Sequence, residues 1–389
     1  MLHPPPLALY AHFPWCVQKC PYCDFNSHQA PTHIPEAHYI DALLEDLAFD
    51  LQSHAASGLA ERPLVSIFLG GGTPSLFGPD AIAQLLTHIK RVMLVAPDME
   101  VTLEANPGTI EHGQFAAYRA AGVNRVSLGA QSFHPEHLKR LGRIHASQDI
   151  GAAVDELQRA GIDNYNLDLM YGLPGQSLEQ ALADVKAAIE LQPTHLSHYQ
   201  LTLEPGTAFY HRPPVLPQSD DCFAMQLECQ AALAAAGYAQ YEISAYAKPG
   251  RQSVHNRNYW LFGDYLGLGA GAHGKLTSAA HNQVLRTERC KQPREYLSLR
   301  PPIERQTETA VISADLPFEF MLNALRLAEG FSRTLFESRT GQPWTRVVVT
   351  VAEAEARGFL QRENVDHWRP TELGQRFLND LQAMFLPVA

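Results

Sequence analysis

Residues 10–25 read Tyr-Ala-His-Phe-Pro-Trp-Cys-Val-Gln-Lys-Cys-Pro-Tyr-Cys-Asp-Phe, and the interpretation of the whole chain turns on this stretch. Cys16, Cys20 and Cys23 stand at the spacing C-x3-C-x2-C. Thiolates this close on one short loop can converge on a single metal centre. A tetrahedral zinc, or a fully ligated four-cysteine iron–sulfur cluster, needs a fourth protein ligand. Positions 24 and 25 are Asp and Phe, so no cysteine or histidine follows directly to supply it. Three thiolates on a four-iron cluster leave one iron open. Other chemistries compete. Disulfide pairing suits a secreted protein, and a zinc knuckle could borrow a distant ligand. Attachment of c-type haem needs C-x-x-C-H, but Asp24 follows Cys23 here.

The surrounding chain narrows the choice. Its 389 residues can bury a large core and suit two or three domains. A net charge of -11 argues against a nucleic-acid surface and, weakly, against an anionic membrane surface. The first residues lack the basic and apolar regions of a secretory signal. No run of roughly 18 apolar residues predicts a transmembrane helix. Apart from the three in the loop, the cysteines are scattered, which suits a reducing cytoplasm.

Outward from the cysteine loop, strand and helix alternate. Strands are predicted at 7–12, 65–69, 101–103, 125–128, 165–170 and 195–203. Helices are predicted at 35–53, 79–95, about 111–121, 135–140, 148–160 and 177–191. Residues Tyr39, Leu43, Leu47 and Leu51, for example, share one helix face. Six strand–helix units imply a parallel sheet with right-handed crossovers. Polar and glycine-rich residues follow each strand, as on the C-terminal face of a barrel. Six units are fewer than a closed barrel needs, so a partial, open (β/α)6 barrel is predicted over 1–215. A smaller α+β segment over 216–312 is predicted next: a helix at 219–236, a strand at 238–246, a glycine-dense stretch at 263–274 and a hairpin at 281–287. Residues 313–389 read helix, helix, helix, strand, strand, helix, a winged-helix-like order. This last segment holds 10 acidic and 8 basic residues, which is not the footprint of a DNA reader.

Several residues stand where strands end. Gly71 and Gly72 allow close backbone approach to a ligand, although a tight turn would also use them. Glu104, Gln131, Arg143 and Asp168 lie at or beyond strand ends and offer hydrogen bonds to riboses, ammonium or carboxylate groups. The stretch His255-Asn256-Arg257-Asn258-Tyr259-Trp260 offers an imidazole beside two aromatic rings. A core histidine packed by its neighbours would look the same. His273, in the glycine-rich stretch, is a second and weaker candidate.

Taken together, Tyr10, the three cysteines, Tyr22, Gly70-Gly71-Gly72-Thr73-Pro74, Glu104, Gln131, Arg143 and Asp168-Leu169-Met170-Tyr171-Gly172-Leu173-Pro174 resemble the oxygen-independent coproporphyrinogen oxidase family of radical SAM proteins. The similarity runs from about residue 7 to the C-terminus. It implies a partial (β/α)6 radical SAM barrel with a [4Fe–4S] cluster on Cys16, Cys20 and Cys23. The open iron would take the amino and carboxylate groups of S-adenosylmethionine (SAM). By the same resemblance Tyr10, Gly71 and Glu104 contact that SAM. Tyr22, Gly72, Thr73, Gln131, Arg143 and Asp168 line a second SAM or the adjoining pocket.

Two departures point to a branch of the family. The oxidases carry C-x3-C-x2-C-x-C, whereas Phe25 occupies the fourth position here, and Tyr10 lies near the start of the chain, without their long N-terminal extension. The Cys23-Asp24-Phe25 ending and the H-N-x-x-Y-W stretch are similar to the haem-chaperone branch. That resemblance implies a cytoplasmic protein that binds haem through His255, Tyr259 and Trp260 and delivers it to apo-haemoproteins, respiratory ones among them. It implies no nucleic-acid partner and leaves open a homodimer, peripheral membrane contact and reductive cleavage of SAM. The competing expectation is a coproporphyrinogen III dehydrogenase, in which a 5′-deoxyadenosyl radical abstracts a propionate hydrogen and carbon dioxide leaves.

Overall fold

The structure is a computed structural model and describes residues 2–108 and 113–387. Strand and helix alternate through its first half: β1 (Leu7–Phe13), α1 (Glu36–Ser53), β2 (Leu64–Gly71), α2 (Pro79–Val92), β3 (Val95–Ala105), α3 (Phe115–Ala121), β4 (Arg125–Gln131), α4 (Ser147–Arg159), β5 (Tyr165–Tyr171), α5 (Leu178–Glu190) and β6 (His195–Gln200). The strands from β1 to β6 pair in parallel with their sequence neighbours. Their buried faces explain the near-continuous apolar runs, since a parallel strand covered on both sides has no polar face. Ser177 opens α5 with a capping box, its hydroxyl accepting from the Gln180 amide while the Gln180 side chain accepts from the Ser177 amide. The expected helix start at 111–112 lies outside the described residues.

The second half extends the same sheet on both sides. After α6 (Ser219–Ala235), the expected strand at 238–246 is two, β7 (Ala239–Glu242) and β8 (Ala245–Ala247), paired antiparallel and joined to β6 through β8. The H-N-x-x-Y-W stretch forms a short helix, α7 (Val254–Trp260). The glycine-dense stretch contains β9 (Asp264–Leu268), which runs parallel to β1 from Leu7↔Asp264 to Ala11↔Leu268. β10 (His273–Ser278), β11 (Gln283–Arg289) and β12 (Gln306–Ala310) follow as antiparallel neighbours. The expected hairpin at 281–287 is formed by β10 and β11 over 273–289, with its turn at 279–282. The sheet has 12 strands in the order β12-β11-β10-β9-β1-β2-β3-β4-β5-β6-β8-β7, open at both ends.

A buried ionic knot holds the extension against α1. Arg289 lies 3.3 Å from Asp46 and 2.8 Å from Asp50, and Arg305 lies 3.2 Å from Asp46. These groups are almost wholly out of water, where a paired charge is tolerable and an orphaned one is not. The C-terminal segment has its own core, centred on Phe320, Phe331, Phe336, Trp344 and Trp368. It follows the expected order: α8 (Leu316–Ala324), α9 (Arg333–Thr340), α10 (Val348–Ala356), then the hairpin β13 (Leu360–Asn364) and β14 (His367–Pro370). The expected final helix breaks at Phe377, whose φ of -110° and ψ of 44° are not helical. Among the described residues no helix is long and apolar enough to cross a membrane.

Candidate functional site

The cysteine loop follows β1 and is fastened by its own backbone. Trp15–Cys16 pairs in parallel with His28–Gln29. The Cys23 amide turns back to the Cys20 carbonyl at 3.2 Å, and the Lys19 ammonium ties together the carbonyls of Phe25 (3.2 Å) and Ser27 (3.1 Å). Trp15 packs on Tyr39 and Phe77 beneath the loop. The end of β2 lies directly against it, with the Gly72 amide donating to the Phe13 carbonyl and the Thr73 amide to the Trp15 carbonyl. A Cβ at position 72 would stand 2.6 Å from the Trp15 carbonyl oxygen, and Gly71 has a φ of +112°. Internal packing alone thus demands both glycines.

Cys16, Cys20 and Cys23 are unpaired, half-buried and line one cavity at the C-terminal ends of the strands. That cavity also holds Tyr22, Gly71, Gly72, Thr73, Glu104, Gln131, Arg143 and Asp168, residues from the ends of β2, β3, β4 and β5, the segment after β4 and the cysteine loop. Tyr10 stands behind them with its ring in the barrel interior, stacked on Phe68. Among the described residues no three His, Cys, Asp or Glu groups close on a single metal ion. Three thiols spread around a cavity suit a larger cluster better than one zinc. Arg143 supplies local positive charge, its guanidinium 3.6 Å from the Cys20 sulfur and 2.8 Å from the Gly129 carbonyl. Its other partner is Asn106, which in turn donates to Thr73 at 3.1 Å.

The acidic groups sit deeper. Glu104 accepts from the Gly71 amide at 2.9 Å. Burial pushes its pKa up to about 8, and the neighbouring Asp168 carboxylate adds to this. Asp168 is also raised by burial, against hydrogen bonds from Asn166 and Ser127 that favour its charged form. Gln131 accepts from the Tyr199 hydroxyl at 2.9 Å and has a φ of +67°, an uncommon backbone state for a residue with a side chain.

Residues not singled out in the sequence complete the site. His12 donates from Nε2 to the Asn26 carbonyl at 2.8 Å, because a carbonyl can only accept. Its Nδ1 therefore accepts from the Tyr10 hydroxyl at 2.9 Å. Tyr10 and His12 thus connect the barrel interior to the cysteine loop. The signal for His12 was the period-2 alternation of β1, which puts position 12 on the same face as Tyr10. Asn106 was visible in the run Glu104-Ala105-Asn106-Pro107-Gly108 and gave no chemical cue by itself.

The H-N-x-x-Y-W helix lies elsewhere. α7 plugs the barrel near the N-terminal ends of the strands, opposite the cysteine loop. Its N-terminus is received by the Glu100 carboxylate, which accepts from the amides of Val254 and His255 at 3.1 Å each. His255 is 1 % exposed and stacks on Phe68. Its Nδ1 meets the Ser66 hydroxyl at 2.9 Å and its Nε2 the Tyr259 hydroxyl at 3.0 Å. Both ring nitrogens are committed, so this arrangement presents no imidazole lone pair at the surface. Burial holds its pKa down at about 3. Trp260 faces outward with Arg326 over its ring at 4.5 Å, and Arg257 pairs with Glu329 at 2.5 Å.

Comparison with known proteins places this geometry. Residues 10–188 match the Radical SAM superfamily and residues 313–377 the HemN C-terminal domain. The chain is 49 % identical over 382 residues to "Heme chaperone HemW" of Haemophilus influenzae, covering 98 % of each chain. It is 49 % identical over 386 residues to the protein of the same name from Escherichia coli, covering 99 % of this chain and 100 % of that one. In solved structures the fold is similar to coproporphyrinogen III oxidase (HemN) from Escherichia coli, with a TM-score of 0.80, 22 % identity and coverage of 98 % and 90 %.

Proposed function

We propose a function from one premise: the chain belongs to the HemW family of haem chaperones, built on a radical SAM fold. It takes up haem and hands it to apo-haemoproteins, those of the respiratory chain among them. The observation that carries this reading is near-full-length similarity to relatives of that name, combined with three free thiols around one cavity. The residues fit a [4Fe–4S] cluster held by Cys16, Cys20 and Cys23. They are unpaired, accessible from the cavity, and flanked by the Arg143 cation and the hydroxyls of Ser27 and Thr73. When bound, the cluster supplies an electron to the sulfonium of SAM at its open iron.

The chain's own groups then do the binding and orienting. Arg143 faces a carboxylate from one side of the cavity, held in place by Asn106 and Gly129. Glu104 and Asp168 accept from ribose hydroxyls or an ammonium, with Gln131, Tyr22 and Thr73 around them. Glu104, raised towards neutrality by burial, can also donate. Phe25 stands 58 % exposed where the oxidase pattern has its fourth cysteine. The substitution Cys20→Ala is expected to abolish cluster iron and its visible absorbance after anaerobic reconstitution. Full retention of both would remove Cys20 from the ligand set.

A further inference from the structure

We propose that haem docks on the rim of the cluster cavity with His273 as the axial ligand of its iron. The inference deepens the haem-chaperone reading and rests on it. The buried His255 has no free nitrogen, so an incoming haem needs another imidazole unless α7 leaves the barrel. The structure offers one beside the cysteine loop.

Asn26, next to Phe25, donates to the carbonyls of Ala270 and Lys291 at 2.9 Å each. These bonds seat the turn between β9 and β10, and the end of β11, against the loop. Contact is close enough that a Cβ on Gly271 would meet the Asn26 amide at 2.2 Å. His273 opens β10 two residues later. Its side chain is 58 % exposed, and its Nε2 lies 3.8 Å from the carboxylate of Glu288, its cross-strand partner. Among the described residues Nδ1 has no hydrogen-bond partner. At 3.8 Å the Glu288 approach is a long ion-pair contact and not a hydrogen bond, but a small shift of the exposed Glu288 side chain would put a carboxylate on one ring nitrogen and leave the other for a metal, the arrangement in which metal-bound histidines are usually held.

The neighbouring groups suit the rest of the porphyrin. The Lys291 ammonium is 63 % exposed and 2.9 Å from the same Glu288. With Lys19 it places positive charge around the rim, where two propionates would lie. Phe25 is an exposed ring on the cavity lip, an aromatic surface for a porphyrin face. His28 also lies here, but it is partly buried and its Nε2 is turned to Asn26 at 3.2 Å. A haem held at this rim would sit outside the sheet and beside the loop, open to an acceptor protein.

The test is a titration of the full chain with ferric haem, read by Soret absorbance and by the electron paramagnetic resonance of the iron. His273→Ala is expected to weaken binding about tenfold and change the axial signature, which added imidazole restores. Lys291→Glu is expected to weaken haem binding while leaving haem dimethyl ester binding unchanged. Wild-type affinity and spectrum in His273→Ala would overturn the assignment, most directly if folded His255→Ala loses the signature instead. Failure of the unaltered chain to bind haem at all would overturn the chaperone reading and not merely this site.

Discussion

At the scale of single residues, burial sets most of the unusual chemistry. His198 lies inside the barrel wall, stacked on Tyr171 with ring centroids 4.7 Å apart, and burial alone holds its pKa down at about 4. An unfolded histidine titrates near 6.5. Between those values the unfolded chain binds a proton that the folded chain refuses, so stability falls as pH drops from about 6.5 to 4 and is complete above 6.5. The substitution His198→Gln should flatten the slope of unfolding free energy in that window by about 1.4 kcal/mol per pH unit, measured by urea denaturation of the cluster-free chain. An unchanged slope would show that His198 takes up its proton in the folded state. The cysteines and the glycines of β2 were legible at this scale, because their meaning lies in local spacing. His255 was not. A ligand-free imidazole and one satisfied by Ser66 and Tyr259 are written identically, and Ser66 is 189 positions away.

At the scale of elements, α7 is a plug with two faces. Inward, His255 and Tyr259 fill the barrel beneath Tyr10. Outward, Arg257 and Trp260 meet Glu329 and Arg326 at the entrance to the C-terminal segment. A buried chain of hydrogen bonds reaches it from the cavity: Asp168 to Asn166, Asn166 to His195 at 2.7 Å, His195 to Tyr241 at 2.8 Å, and Tyr241 to the Ser253 amide that opens the helix. Removing the imidazole by His255→Ala leaves a cavity and two orphaned hydroxyls, a loss of about 2–4 kcal/mol. Chemical denaturation should show that loss, with haem stoichiometry kept in the folded fraction. A variant as stable as the parent would mean that α7 is not packed as described. The alternating elements up to β6 could be read from periodicity. β9 could not, because Asp-Tyr-Leu-Gly-Leu between glycines looks like a loop and its parallel partner, β1, stands 257 positions earlier, Leu7 against Asp264.

At the scale of the whole molecule, a single sheet carries both the cavity and the rim that faces it. The parallel strands supply the site at their C-terminal ends, and the β9–β12 extension brings His273 and Lys291 to the cysteine loop. What joins the two is long-range: Asp46 and Asp50 on α1 against Arg289 and Arg305, pairs invisible to any local pattern. The chain thus combines a radical SAM cavity with a haem-handling family identity, and these imply different outcomes for a tetrapyrrole. The direct test is anaerobic reconstitution of the cluster, followed by parallel incubation with haem and with coproporphyrinogen III, each with SAM and a reductant. Stoichiometric haem binding and transfer to an apo-haemoprotein, with no decarboxylation, is the expected result. Catalytic release of carbon dioxide from coproporphyrinogen, without haem transfer, would contradict it.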